Sequence, residues 1–243
     1  MNALFISDLH LSAQTPECAA NFIALLQQQQ AGTRLYILGD LFEAWLGDDA
    51  MGAEIAPLLQ AMRNLAERGV EMYFMHGNRD FLIGADFARA SGCRLLGESE
   101  VIELQGEPVL LLHGDQLCTD DHDYQAFRRQ VRDPAWQAHF LSLPLDQRMA
   151  LARQARDQSR QETRYKADDI MDVNPQTVEA VLRQHGVRRL IHGHTHRPGL
   201  HRFQLDGEPA WRIVLGDWTP QASLLKADHN GLQLIDPRVS VTL

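Results

Sequence analysis

Five short clusters of metal-binding residue types punctuate this 243-residue chain. They are Asp8-Leu9-His10, Gly39-Asp40, Gly77-Asn78-Arg79-Asp80, His113-Gly114-Asp115 and Gly193-His194-Thr195-His196. Aspartate, histidine and asparagine offer oxygen and nitrogen donors that suit divalent first-row metals, and no cysteine joins them. Asp8 and His10 are two residues apart, as are His194 and His196; in extended backbone that spacing puts both side chains on one side. Gly39, Gly77, Gly114 and Gly193 permit backbone geometries that other residues resist, and are expected to let a metal and a phosphate approach closely. A charge count favours two metals. The ligand set Asp8, His10, Asp40, Asn78, His113, His194 and His196 holds two carboxylates, so a pair of divalent ions would keep about two positive charges, enough to bind a phosphate and stabilise a hydroxide. Asp40 is the carboxylate expected to bridge the pair. Taken singly, an Asp-x-His or a Gly-Asp is weak evidence and only Gly-His-Thr-His is unusual; the ordered set of five is specific.

The elements that must position these clusters are legible as apolar runs. Leu4-Phe5-Ile6, Leu35 to Leu38 and Val70 to Met75 predict strands, separated by predicted helices over Pro16 to Gln29 and Met51 to Glu67. This β-α-β-α-β order indicates an α/β layered fold, in which functional groups gather beyond the carboxyl ends of strands. Val101 to Leu104 and Val109 to Leu112 predict a hairpin turning at Gln105-Gly106-Glu107-Pro108. From about Asp121 to Asp169 the strand pattern stops. Tyr124 to Arg132 is helix-like, Asp133-Pro134 reads as a capped helix start, and Leu145 to Lys166 predicts one long helix. Its residues Leu145, Met149, Ala152, Arg156, Ser159, Thr163 and Lys166 share a face that is apolar first and polar last. The expected organisation is a core of residues 1–120 and 170–243 with a helical cap inserted over 121–169. Asn174-Pro175 opens a further helix to His185, Arg188 to Ile191 predicts a strand, and three short strand-like runs follow at 213–215, 223–225 and 232–235.

Composition narrows the class. Hydrophobic residues make up 44% of the chain, enough for a core without staples. Cys18, Cys93 and Cys118 form no C-x-x-C pair, so neither a disulfide framework nor a thiolate zinc site is indicated. The absence of a basic leader or a long apolar run predicts a cytoplasmic protein. A net charge of −9 argues against general nucleic-acid binding. Residues 124–166 run against that balance, with nine Lys/Arg to four Asp/Glu. Arg128, Arg129 and Arg132 there are expected on a solvated face, with anionic lipid as the alternative contact.

The ordered clusters resemble the calcineurin-like metallophosphoesterase superfamily. The resemblance implies a β-sandwich flanked by helices, with Asp8, His10, Asp40 and His196 holding one metal and Asp40, Asn78, His113 and His194 the other. One departure is informative: where most of that superfamily has a histidine after the asparagine, this chain has Arg79, which stays charged and grips phosphate through a fork of donors. With residues 38–49, 113–121 and 170–174, that variant is similar to the UDP-2,3-diacylglucosamine pyrophosphohydrolase family of lipid A synthesis. What this implies is manganese, cleavage of UDP-2,3-diacylglucosamine to UMP and 2,3-diacylglucosamine 1-phosphate, and work as a peripheral protein on the cytoplasmic face of the inner membrane, with no obligate protein partner. The implied substrate contacts are Asn78, Arg79, Asp121, Ser159, Thr163, Lys166 and His194; Thr163 stands where the family commonly has asparagine. The expected reaction is attack of metal-activated water on the alpha phosphorus, with Arg79, Asp40 and His194 as the catalytic set. Phe127, Val131, Trp136, Phe140, Leu141 and Met149 are candidates for an acyl-chain slot, with ordinary cap core as the competing role. Asp80, Asp115 and Glu43 are expected to orient ligands or backbone. A soluble dinucleotide pyrophosphatase on the same scaffold is the rival enzyme, and a metal-dependent scaffold without catalysis the rival from another class.

Overall fold

Alternation along the first strands decides how the layers stack. In the computed structural model, which describes residues 2–163, 170–219 and 221–242, strand β1 (Asn2–Ile6) sends Leu4 and Ile6 to one face and Ala3 and Phe5 to the other. Strand β2 (Thr33–Leu38) repeats this, with Leu35 and Ile37 against Tyr36 and Leu38. Helices α1 (Pro16–Gln28) and α2 (Ala56–Glu67) connect β1, β2 and β3 (Glu71–Met75), which pair in parallel. Helix α3 (Ala85–Ser91) leads to the short β4 (Arg94–Leu95), and β5 (Ser99–Leu104) and β6 (Glu107–Leu112) form a hairpin. Its turn is tighter than the predicted 105–108, because Gln105 and Gly106 both take left-handed φ, 55° and 81°.

The helical stretch follows as α4 (His122–Val131), α5 (Pro134–Ser142) and α6 (Leu145–Thr163). Then come α7 (Pro175–His185), β7 (Arg189–His192), β8 (Gly199–Leu205), β9 (Glu208–Val214), β10 (Leu224–Asp228), β11 (Gly231–Asp236) and β12 (Val239–Thr242). The strands make a seven-stranded sheet ordered β12-β11-β10-β1-β2-β3-β4 and a five-stranded sheet ordered β5-β6-β7-β9-β8. Phe5, Tyr36 and Leu38 from the first and Val109, Leu111, Ile191 and Ile213 from the second form the core between them. Helices α1 to α3 cover the outer face of the first sheet through Phe22, Met62 and Phe87. Helix α7 covers the second through Val178 and Leu182. Burial on both faces is why β1, β2 and β6 read as unbroken apolar runs.

Two expectations shift. The helix predicted from Met51 begins at Ala56, after two single 3-10 turns at Asp48–Ala50 and Ala53–Ile55; Pro57, lacking an N–H to donate, sits in its first turn. The cap apolar residues divide. Val131 and Phe140 are buried, and Phe140, with Trp136 stacked on it at 5.1 Å, joins the core beneath the first sheet, whereas Phe127, Leu141 and Met149 stay exposed. Among the described residues no helix is long and apolar enough to cross a membrane.

The cap predicted at Asp133 forms, and the helix expected to open at Asn174-Pro175 is capped by Asn174. Asp133 accepts from the N–H groups of Ala135 and Trp136. Asn174 accepts from Thr177 N at 3.0 Å while its amide donates to Asp120. Asn174→Ala is therefore expected to lower unfolding free energy by about 1 kcal/mol in urea titration, with any larger loss reporting the Asp120 tie.

Candidate metal centre

All five clusters leave the carboxyl ends of strands: Asp8 and His10 after β1, Asp40 after β2, Asn78 after β3, His113 after β6, and His194 and His196 after β7. Strands β1, β2 and β3 are parallel, as are β6 and β7, so the loops of each sheet emerge on one edge. The edges meet: His194 N donates to Asp8 Oδ2 at 2.9 Å, and His113 Nδ1 lies 2.7 Å from Leu38 O.

The local backbone is not the extended one expected from the two-residue spacings. Asp8, His10, Asp40, His194 and His196 have φ of 57°, 50°, 53°, 70° and 55°. The other two non-glycine residues with positive φ among those described are Gln105 and Asp206, both in hairpin turns. Each such residue costs on the order of 1–2 kcal/mol, and strain of this kind concentrates where side chains must be aimed. Left-handed residues at alternate positions, not strand geometry, direct Asp8 with His10 and His194 with His196.

The result is two adjoining groups of donors. Asp8, His10 and His196 place one ligand atom each within 4.8 Å of one another, and so do Asp8, Asp40 and His113. His196 Nε2 lies 3.3 Å from Asp8 Oδ1 and 3.3 Å from His10 Nε2. Asn78 Oδ1 sits 2.9 Å from both His113 Nε2 and His194 Nδ1. Thus all seven predicted ligand residues converge. Asp8 belongs to both groups, and Asp40, the expected bridge, joins it in the second.

The donors fit divalent cations. Asp8 Oδ2 accepts from Ser7 Oγ and from His194 N at 2.9 Å, whereas the fully buried Oδ1 has no hydrogen-bond partner. An orphaned buried carboxylate oxygen facing two imidazoles calls for a positive charge. His113 turns Nδ1 to Leu38 O at 2.7 Å, which aims Nε2 into the donor group beside Asn78 Oδ1. Burial, with the nearby His113 charge, pushes His194 down to about 4, so its imidazole is neutral and can donate a lone pair near pH 7. Burial pushes Asp8 upward, but His196, His113 and His10 outweigh it and hold the carboxyl below its usual range.

A family model of the calcineurin-like phosphoesterases matches residues 1–198. The chain belongs to this family. Among the calcineurin-like phosphoesterases it is 53% identical over 232 residues to the UDP-2,3-diacylglucosamine hydrolase of Pseudomonas aeruginosa, covering 95% of this chain and 97% of the relative. It is 52% identical to the protein of that name from Chromohalobacter salexigens, over 90% of each chain. It is 50% identical to that of Serratia proteamaculans, over 97% of this chain and 98% of the relative.

Around the phosphoesterase donors, three acids brace the loops. Asp80 is fully buried and accepts from Gly77 N at 2.9 Å, Leu41 N at 2.7 Å and Asp40 N at 3.2 Å. It thereby joins the second cluster to the third. Burial and the charge of Asp40 push Asp80 up to about 6. Asp80→Ala would strand these backbone donors, each costing about 1–3 kcal/mol, so a loss of at least about 3 kcal/mol in chemical denaturation is expected. Asp115 accepts from Tyr124 Oη at 3.0 Å and Arg128 Nε at 2.8 Å, and Arg132 donates to Gly77 O at 2.8 Å. Arg128 and Arg132 therefore face inward and also pair with Glu98; the expected solvated face is not where they lie. Tyr124 stacks on His194 with centroids 5.8 Å apart. Tyr124, Arg128 and Arg132 escaped notice as site supports, although their four-residue spacing marks one helix face. The third acid, Glu43, lies 3.2 Å from His10.

The expected substrate contacts divide. Asn78, Arg79 and His194 stand in the centre, and Arg79 N donates to Asp40 Oδ1 at 2.8 Å. Asp121 caps α4, accepting from Tyr124 N. The side chains of Ser159 and Thr163, and all of Lys166, lie outside the described residues.

Proposed function

We propose that this chain hydrolyses the pyrophosphate of UDP-2,3-diacylglucosamine, giving UMP and 2,3-diacylglucosamine 1-phosphate for lipid A synthesis. The observation that carries this is identity of 50–53% across nearly the full length of hydrolases named for that substrate. The convergence of seven metal-binding side chains supports the same reading.

In this reading Asp8, His10, Asp40 and His196 would hold one divalent ion and Asp40, Asn78, His113 and His194 the second, with Mn2+ as the metal. Such a pair polarises phosphoryl oxygens and lowers the pKa of a water. The chain's own residues do the rest. Arg79, its backbone tied to Asp40 and its guanidinium partly exposed, grips the diphosphate oxygens and, remaining charged, does not act as a general acid. Water attacks the alpha phosphorus, the bond to the bridging oxygen breaks, and the sugar phosphate leaves. His194, held between Asn78 and Tyr124, orients both ligand and substrate. Asp121, Ser159, Thr163 and Lys166 contact the substrate, and exposed Leu141, Leu145 and Met149 offer apolar surface to acyl chains. Residues 121–169 act as a cap on a core of 1–120 and 170–243. The protein works as a peripheral protein on the cytoplasmic face of the inner membrane.

Hydrolysis in oxygen-18 water tests the reaction: label should enter UMP, and label in the sugar phosphate would reverse the assignment of the attacked phosphorus. Offering the lipid substrate in detergent beside a soluble dinucleoside polyphosphate, both with Mn2+, tests the substrate. Preference for the soluble compound would overturn the lipid reading.

A further inference from the structure

Glu43 stands at a junction that the metal ligands alone do not require. The chain after β1 and the chain after β2 continue side by side: Leu11 N donates to Leu41 O at 2.9 Å and Glu43 N to Leu11 O at 3.1 Å. This pairing sets the Glu43 side chain beside His10. Oε2 lies 3.2 Å from His10 Nδ1. Oε1 takes Arg156 Nη2 at 2.9 Å and Arg79 Nη1 at 3.6 Å. Arg156, on α6, also donates to the Glu43 carbonyl oxygen. One carboxylate therefore touches a metal ligand, the arginine that grips phosphate, and the helix leading to Ser159 and Thr163.

We infer that Glu43 is a positioning residue that couples the state of His10 to the seating of α6, through Arg156. The inference rests on the two-metal reading above. His10 turns Nε2 toward Asp8 and His196 and Nδ1 toward Glu43. A cation held by Nε2 would leave the ring proton on Nδ1 and strengthen that donor toward Oε2, fixing the carboxylate in one orientation. A fixed Oε1 is then a rigid anchor for Arg156. A second tie holds α6 to the same loop: Arg148 is buried and pairs with Asp49 while donating to Leu46 O. The loop from Asp40 to Asp49 thus reports to α6 at two points, and one of them depends on His10. Coupling of this kind is reciprocal, so a seated α6 also favours metal on the His10 side.

The test uses the whole protein and Mn2+ as the probe. Two Mn2+ per chain are expected by calorimetry. Glu43→Gln should weaken one site by about tenfold and Glu43→Ala by up to about 100-fold, the range for residues that orient a ligand, with the other site little changed. Hydrogen exchange supplies a readout that a merely structural role would not move. In the unsubstituted protein Mn2+ should slow exchange in α6. In Glu43→Gln at saturating Mn2+ that slowing should vanish, while the segments around Asp8 and His194 remain protected. Unchanged affinities in Glu43→Gln, or equal slowing of α6 with and without the carboxylate, would overturn the coupling. If Glu43→Ala does not fold, the isosteric glutamine variant decides alone. Failure of the unsubstituted protein to bind two Mn2+ would instead overturn the two-metal reading.

Discussion

Asp40→Asn is expected to lower turnover at least about a thousandfold while leaving the metal-free protein as stable as before, or more so. Asp40 and Asp8 are both buried, and with His113 their ligand atoms lie within 4.8 Å of one another. Two carboxylates at that range repel by on the order of 3 kcal/mol at an effective dielectric of about 20. Without cations this repulsion opposes folding; with cations it becomes the attraction that holds them. Asparagine preserves the shape and keeps an oxygen for the Arg79 N–H, now 2.8 Å away, but removes the charge. Losing about 4 kcal/mol of transition-state stabilisation, within what a paired centre supplies, corresponds to three factors of ten in rate. Steady-state turnover with Mn2+ and thermal melting in chelator check the two halves separately. Turnover within tenfold of the parent protein, or a much lower melting temperature in chelator, would each contradict the assignment.

Gly39→Ala should destabilise by about 2–4 kcal/mol, against about 1 kcal/mol for Gly32→Ala. Both glycines take left-handed φ, +88° and +82°, and an alanine there pays a conformational penalty of about 1 kcal/mol. They differ in surroundings. A Cβ on Gly32 meets nothing within 4 Å, whereas one on Gly39 falls 2.6 Å from Gly77 Cα, Gly77 N and His113 Nδ1. Backbone at that distance cannot yield as a side chain would, so overpacking adds about 1–3 kcal/mol. The displaced atoms carry Asp40, Asn78 and His113, so Mn2+ affinity should fall with stability for Gly39→Ala and stay unchanged for Gly32→Ala. Urea denaturation and calorimetry of the pair measure this directly. Equal stability losses would mean that the loops separate at little cost.

The same distances add a role for the cluster glycines. A Cβ on Gly39 or Gly77 would collide with the neighbouring loop, Gly77 against Asp40. The glycines let loops close on one another, and the donors close with them.

Residue type and order alone picked out the seven side chains that converge, because few side chains bind hard divalent ions and a dinuclear centre would need several of them. Strand-like runs ahead of each cluster likewise foretold that the donors lie at carboxyl ends, since strands buried on both faces have to be apolar throughout. Helix starts at Asp133 and Asn174 were legible because capping is a local bond. Three features were decided only by tertiary structure. The left-handed backbone at Asp8, His10, Asp40, His194 and His196 leaves no mark in composition, because it is imposed by loops packed against each other. The inward turn of Arg128 and Arg132 depends on the buried Asp115, a partner that charge counting along the chain does not reveal. The meeting of His10, Arg79 and Arg156 on Glu43 joins positions up to 146 residues apart, a juxtaposition that arises when the sheets bring their edges together and α6 is laid over the loop from Asp40 to Asp49.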